Sequence, residues 1–254
     1  MCRLFLSYHQ SDVENLLRMF LKKQDSEKIL PGFPKIEKKC ISNSGVHKDG
    51  FGFAWFDKGQ WMMYKNYGIY NNDKDVEKVL TTIPSNTIVL GHMRRKSHGE
   101  NEYDNTHPFI YKNSIFMHHG KIIDYEKHHE SILAKITPTY RKQIQGETDS
   151  EVLFYLFLSC ISKPGSRKTV KKSQKDPYVY KAFAKMSRIL KSLGVSWIGN
   201  IIYADQNYML ITRHSTSSCP APSLYTSRIG ITTDPFDNSS VLIPENTFLV
   251  KKMV

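Results

Sequence analysis

The chain has 254 residues, 40% of them hydrophobic and 12% aromatic, which is enough to bury a sizeable core and too apolar for a disordered chain. No apolar run approaches the roughly 18 residues of a membrane span, and the N-terminus turns polar at Ser7-Tyr8-His9-Gln10 without a signal-peptide core, so a cytoplasmic protein with no membrane contact is expected. The net charge of +12 is local: between Lys163 and Lys191 ten basic residues face one acidic residue, Asp176. An exposed, solvated insertion at about 163–176 is the preferred reading of that segment, and nucleic acid or an acidic partner ranks below it.

In chain order, residues 1–8 alternate as a strand. Ser11 and Glu14 form a capping-box pattern ahead of a helix carrying Leu16, Leu17, Met19, Phe20 and Leu21. Residues 23–48 read as a loop. Residues 50–56 and 61–64 predict a hairpin, 73–80 a short helix, and 87–93 and 114–117 buried strands. Helices are expected at 125–134, 150–161 and 177–193, the last with Tyr180, Phe183, Met186, Ile189, Leu190 and Leu193 at helical spacing. Strands follow at about 196–204, 207–213, 223–232 and 246–252. Strands, then helices, then strands point to antiparallel sheets with outer helices rather than βαβ units. Neither a G-x-G-x-x-G fingerprint nor a P-loop occurs, which argues against a nucleotide-dependent enzyme.

Four cysteines, Cys2, Cys40, Cys160 and Cys219, form no C-x-x-C pair, so zinc-ribbon and thioredoxin readings fail. Disulfides are not expected in the cytosol. No metal and no cofactor are assigned. Cys2 follows the initiator Met directly. Removal of Met1 would leave one residue with both a thiol and an α-amine of pKa about 7.7–8.0, able to act as base for its own thiol. Taken alone, Cys2 is better read as a chance residue on a buried first strand.

Three further segments carry polar residues, two at strand ends and one at a helix start. Arg94 follows a strand, where its planar fork suits a carboxylate, and Ser97 and His98 offer donors on the next turn; a basic surface turn is the bland alternative. His118-His119-Gly120 ends another predicted strand, where a side-chain donor beside a glycine N–H makes a two-donor oxyanion hole. The paired histidines lack the i, i+4 spacing of a helical metal motif. Gly146-Glu147-Thr148-Asp149-Ser150-Glu151 precedes an apolar helix. Thr148 and Glu151 make a capping box that leaves Asp149 over, to favour the helix dipole or to face an ammonium.

In this order the segments resemble the class II glutamine amidotransferases: a terminal Cys, H-x-R-x-x-[ST]-H-G, H-x-G, then T-D-[ST]-E-V. Asp49-Gly50-Phe51-Gly52-Phe53-Ala54-Trp55, Asn105-Thr106-His107-Pro108-Phe109 and the tail from Thr233 to Asn246 resemble stand-alone members. Among these, the amidotransferase-like subunit of the glutathione-degradation complex is similar through Ile144-Gln145-Gly146 leading into Thr148. The likeness spans most of the chain outside the basic insertion.

The resemblance implies an α+β fold, the four-layer αββα Ntn-hydrolase sandwich of two antiparallel sheets with outer helices, as a single domain over 1–254. It implies Cys2 as nucleophile on a γ-glutamyl carbonyl, Arg94 with Ser97 and His98 on the substrate α-carboxylate, and Asp149 on its α-ammonium. His119 and Gly120 fall at the oxyanion hole, and His119 stands where the family has Asn. Histidine either donates in place of the amide or marks a slow or altered enzyme. The expected ligand is a small γ-glutamyl molecule such as glutamine or glutathione, with a hetero-oligomeric partner an open alternative. A catalytically impaired regulatory or binding subunit is the second reading.

Overall fold

The computed structural model describes residues 2–8, 10–25, 47–161 and 177–253. Met1, Cys40 and the basic insertion at 163–176 lie outside the described residues. The described elements are β1 (Arg3–Tyr8), α1 (Val13–Leu21), β2 (Phe51–Asp57), β3 (Gln60–Asn66), α2 (Val76–Leu80) and β4 (Ile88–Met93). There follow β5 (Phe109–Tyr111), β6 (Ser114–Ile122), α3 (Tyr125–Leu133), α4 (Pro138–Arg141), α5 (Asp149–Cys160) and α6 (Tyr178–Ser192). The chain closes with β7 (Trp197–Ala204), β8 (Tyr208–Ser215), β9 (Tyr225–Thr226), β10 (Gly230–Thr232), β11 (Val241–Leu242) and β12 (Thr247–Lys252).

The strands form two antiparallel sheets, ordered β11-β9-β10-β1-β4-β2-β3 and β12-β8-β7-β6-β5. Period-two alternation builds the layers. Leu4 and Leu6 of β1, Ile88 and Leu90 of β4, and Ile115 and Met117 of β6 meet in one core between the sheets. The intervening residues Phe5, Val89 and Met93 turn outward under α1, against Leu17 and Phe20. On the second sheet Phe116, Ile201 and Tyr203 turn outward under α5 and α6. The result is the expected αββα sandwich.

Local sequence explains most elements. Lys58 and Gly59, both at positive φ, make the two-residue turn between paired Asp57 and Gln60. Helix α6 buries Val179, Phe183, Met186 and Leu190 at helical spacing and exposes Lys181, Lys185 and Arg188. Tyr180, read from the sequence as core, is 39% exposed because it falls off that stripe. Helix α5 is apolar almost all round because it is packed between sheet, α3, α4 and α6. The Ser11–Glu14 cap is not formed: the helix begins at Val13 after Asp12, and Glu14 instead pairs with Arg18 at 2.6 Å. Cys219 is disulfide-bonded, against the expectation of reduced cysteines, while Cys2 and Cys160 are free thiols.

Candidate active site

Cys2 sits one residue before β1, whose Arg3 pairs with Met93 of β4. That register brings Cys2 beside the segment leaving β4. Its Sγ accepts the Arg95 N–H at 3.3 Å and lies 3.6 Å from the Arg95 carbonyl. Burial pushes the thiol above its ordinary range; the N-terminal ammonium, the Arg95 bond and Arg94 act the other way, and Asp149 adds to the rise. The thiol is therefore protonated at neutral pH and needs a base. Arg94 and Asp149 are both near enough to act on it, so three of the residues singled out from the sequence converge.

Arg94 is buried at the end of β4, its own N–H bonded to the Gly50 carbonyl at 2.7 Å. Its guanidinium does not lie open as a fork. One terminal nitrogen donates to the carbonyls of Asp49 and Glu100 and to Asn101 Oδ1, at 3.2, 3.0 and 3.3 Å. The other donates to the carbonyls of His98 and Gly99, at 2.9 and 3.1 Å. Arg94 thus gathers the loop 98–101 around a single cation. Ser97 is exposed on that loop. His98 turns toward α3, with Nδ1 2.9 Å from Glu126 and its ring edge-on to Tyr125. The same loop is held from outside by Asp49, which accepts the Lys96 N–H at 2.7 Å and the Asn101 side chain at 3.2 Å.

The strand expected to end at Met117 continues to Ile122, so His118, His119 and Gly120 are strand residues. Pairing with β7 explains the extension, since His119 lies opposite Asn200 and Gly120 opposite Gly199. Alternation sends the two histidines to opposite faces, so they cannot chelate one ion together. His118 faces the helices, bonding Ser150 Oγ at 2.9 Å and the Ile198 carbonyl at 3.3 Å. His119 faces the space between the sheets, and among the described residues neither of its ring nitrogens has a hydrogen-bond partner. Burial first, then the N-terminal ammonium and the neighbouring histidines, hold His119 well below the ordinary imidazole range, so the ring is neutral. A Cβ at position 120 would meet the Ile198 carbonyl oxygen at 1.9 Å and His118 Nε2 at 2.7 Å, so only glycine fits under the His118 ring.

Asp149 opens α5 and is buried. Its Oδ2 accepts the Ile122 N–H at 2.7 Å, and Ser150 Oγ lies 3.3 Å from Oδ1. Thr148 caps the helix through the Glu151 N–H at 3.3 Å. The reciprocal half of the box is absent: Glu151 reaches back instead to the N–H groups of Gln145 and Gly146, at 3.0 and 2.7 Å. The helix start is pinned to the end of β6 on one side and to the 145–146 turn on the other.

Two asparagines near this site were not singled out from sequence. Asn105, noted only as part of N-x-H-P-F, is fully buried and bonds both the Arg94 loop and the turn before Asp149. Asn200 is the lone amide in the apolar strand β7, and its side-chain oxygen has no partner among the described residues. A buried amide inside an apolar strand is the only signal its sequence offers.

The family model for "Glutamine amidotransferases class-II" matches residues 33–216, more than half of the chain. The chain belongs to the class II glutamine amidotransferase family. The matched span holds Arg94, His119 and Asp149 and begins beyond Cys2. Within the family, the chain is 32% identical over 130 residues to the Saccharomyces cerevisiae protein named "Probable glutamine amidotransferase DUG3", covering 47% of this chain and 35% of that one. It therefore spans about a third of that relative's length. Among solved structures, a Silicibacter pomeroyi protein described as "glutamine aminotransferase class-II domain protein" superposes with a TM-score of 0.57 at 21% identity, covering 79% of this chain and 86% of that one. The glutamine phosphoribosylpyrophosphate amidotransferase of B. subtilis gives 0.56 at 12% identity over 98% of this chain and 47% of that one. At these identities the superpositions establish the family fold. Among the described residues no helix is long and apolar enough to cross a membrane.

Proposed function

We propose that this chain hydrolyses the γ-glutamyl amide bond of glutamine or of a γ-glutamyl peptide such as glutathione, through a thioester on Cys2. The observation that carries the reading is the Cys2 sulfur held on the Arg95 N–H within the fields of both Arg94 and Asp149. A cation and an anion flanking a nucleophile suit a substrate head with a free carboxylate and a free ammonium, which leaves the γ-carbonyl over the thiol.

The chemistry follows from the groups present. With Met1 removed, the α-amine of Cys2 takes the thiol proton and the sulfur attacks the carbonyl carbon of the γ-glutamyl amide. The carbonyl electrons move onto oxygen, where the neutral His119 N–H and the Gly120 N–H are the candidate donors. The oxyanion collapses, the C–N bond breaks, and the departing amine takes the proton from the α-ammonium. Water then attacks the thioester, releasing glutamate and restoring the thiol. Arg94 enters this scheme through its loop: a substrate carboxylate reaching the guanidinium takes the place of loop carbonyls, so binding and loop movement are one event. Ser97 and His98 are assigned to the same carboxylate region.

The second reading, an impaired regulatory or binding subunit, is favoured by one observation: His119 occupies the expected place of an asparagine, and its ring nitrogens have no hydrogen-bond partner among the described residues. We assign the protein to the cytoplasm and to a single domain over 1–254, with a hetero-oligomeric partner the alternative to a stand-alone chain in either case. The test is incubation of the Met-processed protein with glutamine and with glutathione while following glutamate. Release that Cys2→Ala abolishes supports the hydrolase. No release from either, with Cys2 at the N-terminus, supports the second reading.

A further inference from the structure

We infer that Asn105 is a positioning residue that sets the distance between the two charged clamps, and so determines specificity for a free α-amino-acid head. The inference rests on the γ-glutamyl reading above. It starts from where the two clamps are anchored. Arg94 holds the loop 98–101, and Asp149 begins a helix whose preceding turn is 145–148. These segments are far apart in sequence, and they meet at Asn105.

The Asn105 side chain is fully buried. Its Nδ2 donates to the Glu100 carbonyl at 3.1 Å, the same oxygen that accepts from Arg94 at 3.0 Å. Its Oδ1 accepts the Glu147 N–H at 2.7 Å, two residues before Asp149. One amide therefore ties the Arg94 side of the head to the Asp149 side, using one donor and one acceptor that no carboxylate or aliphatic group reproduces together. The Glu147 carboxylate adds a second link to the Glu100 N–H at 3.3 Å, on the exposed side of the same seam.

The two glycines flanking the amide show how close the fit is. A Cβ on Gly146 would stand 2.5 Å from Asn105 Oδ1 and 2.8 Å from the Asp104 carbonyl oxygen. A Cβ on Gly99 would stand 3.0 Å from Asn105 Nδ2, and Gly99 is also at φ +72°. The amide is thus seated between two backbones that approach because neither carries a side chain. Glu151 holds the turn from behind through Gln145 and Gly146, so the Asn105 bond is the side of the turn that faces the Arg94 loop. An α-amino acid fixes the spacing of its carboxylate and ammonium covalently. A clamp pair whose spacing is fixed by a rigid amide discriminates for that spacing.

The test uses the full, Met-processed chain with Asn105→Asp and Asn105→Ala. Asn105→Asp keeps the size and the acceptor for Glu147 but removes the donor to Glu100 and sets an anion against its carbonyl. The readouts are kcat/KM for glutamine, kcat/KM for its des-amino analogue glutaramate, and the rate of Cys2 alkylation by iodoacetamide. The expected result is a loss of ~10–100-fold in kcat/KM for glutamine, carried by KM, as for other misplacements of this size. The glutamine-to-glutaramate ratio falls, and Cys2 alkylation stays within two-fold of the parent. Gly146→Ala, pressing on the same amide from the other side, reproduces the fall in the ratio, and it keeps the test alive if an Asn105 variant does not fold. Equal losses on both substrates, or a parallel loss of Cys2 alkylation, would reduce Asn105 to a structural residue and overturn the inference. Asp149→Asn separates the two levels. If it leaves the ratio unchanged, the assignment of Asp149 to the ammonium fails; if it removes the ratio while Asn105→Asp preserves it, the inference alone fails.

Discussion

His119 and Asn200 stand directly opposite each other on β6 and β7, and among the described residues neither ring nitrogen of the one nor the side-chain oxygen of the other has a hydrogen-bond partner. Directly opposed residues of an antiparallel pair have Cβ atoms about 4.5–5.5 Å apart. The Asn200 amide nitrogen is committed to the Ser223 carbonyl at 3.0 Å, which leaves its oxygen as an unused acceptor. Neither group holds the other, so the neutral His119 ring keeps its one N–H to offer an oxyanion.

That relationship gives the first prediction. His119→Ala is expected to lower kcat for glutamate release by ~10²–10³, the cost of one oxyanion donor, and His119→Asn to stay within ten-fold of the parent. Steady-state kinetics on both variants check it. An alanine variant as active as the parent would remove His119 from the reaction and favour a subunit without turnover.

Cys2 yields the second. Burial keeps its thiol protonated at neutral pH, so reactivity depends on an adjacent amine as base. Protein that retains Met1 is expected to lose glutamate release by at least ~10²-fold and to be alkylated slowly at pH 7. Intact mass before and after iodoacetamide, on processed and unprocessed material, measures this.

The third concerns pH and stability. His92 is pushed down to about 3, and His107, His118 and His119 are also held below the ordinary imidazole range, in every case chiefly by burial. These groups are neutral when folded and titrate near 6.5 when unfolded. The unfolded chain therefore binds more protons as pH falls through 6.5, so stability present above that pH is lost below it. Each such histidine removes about 1.4 kcal/mol per pH unit until its own folded-state pKa is reached. Tm should drop steeply between pH 7 and pH 5, and His119→Asn should flatten the slope by about one proton. A flat profile over that interval would contradict the burial of these rings.

The fourth concerns the turn before Asp149. Glu151→Ala strips the Gln145 and Gly146 N–H groups of their acceptor and is expected to destabilise the fold by about 2 kcal/mol. Glu151→Gln, which keeps an acceptor oxygen, should recover roughly half of that. Denaturant unfolding of the two variants gives the comparison.

Sequence alone carried the elements with strong local signals. Strands β1, β4, β7 and β8, helix α6 and the cap at Thr148 appear where alternation, amphipathic spacing and capping chemistry put them. It failed where a partner strand decided the outcome. Nothing local extends β6 from Met117 through two histidines and a glycine; pairing with β7 does. The short strand β5 and the four-residue helix α4 are likewise held by contacts with β6 and α5 rather than by their own propensity.

What the sequence by itself determined is the list of chemical groups and their order: a cysteine after the initiator Met, an arginine closing a strand, a histidine before a glycine, and an aspartate opening a helix. Period and capping act over a few residues, so they are written locally. What only the tertiary structure decided is which of these meet and in what state. The β1–β4 register puts Arg95 on the Cys2 sulfur, the Arg94 guanidinium turns onto its own loop, and the Asn105 amide joins two loops that share no local pattern. The Cys2–Arg95 and Asn105–Glu147 contacts join residues 93 and 42 positions apart, and burial, which fixes the protonation of Cys2 and His119, exists only once both sheets have closed over them.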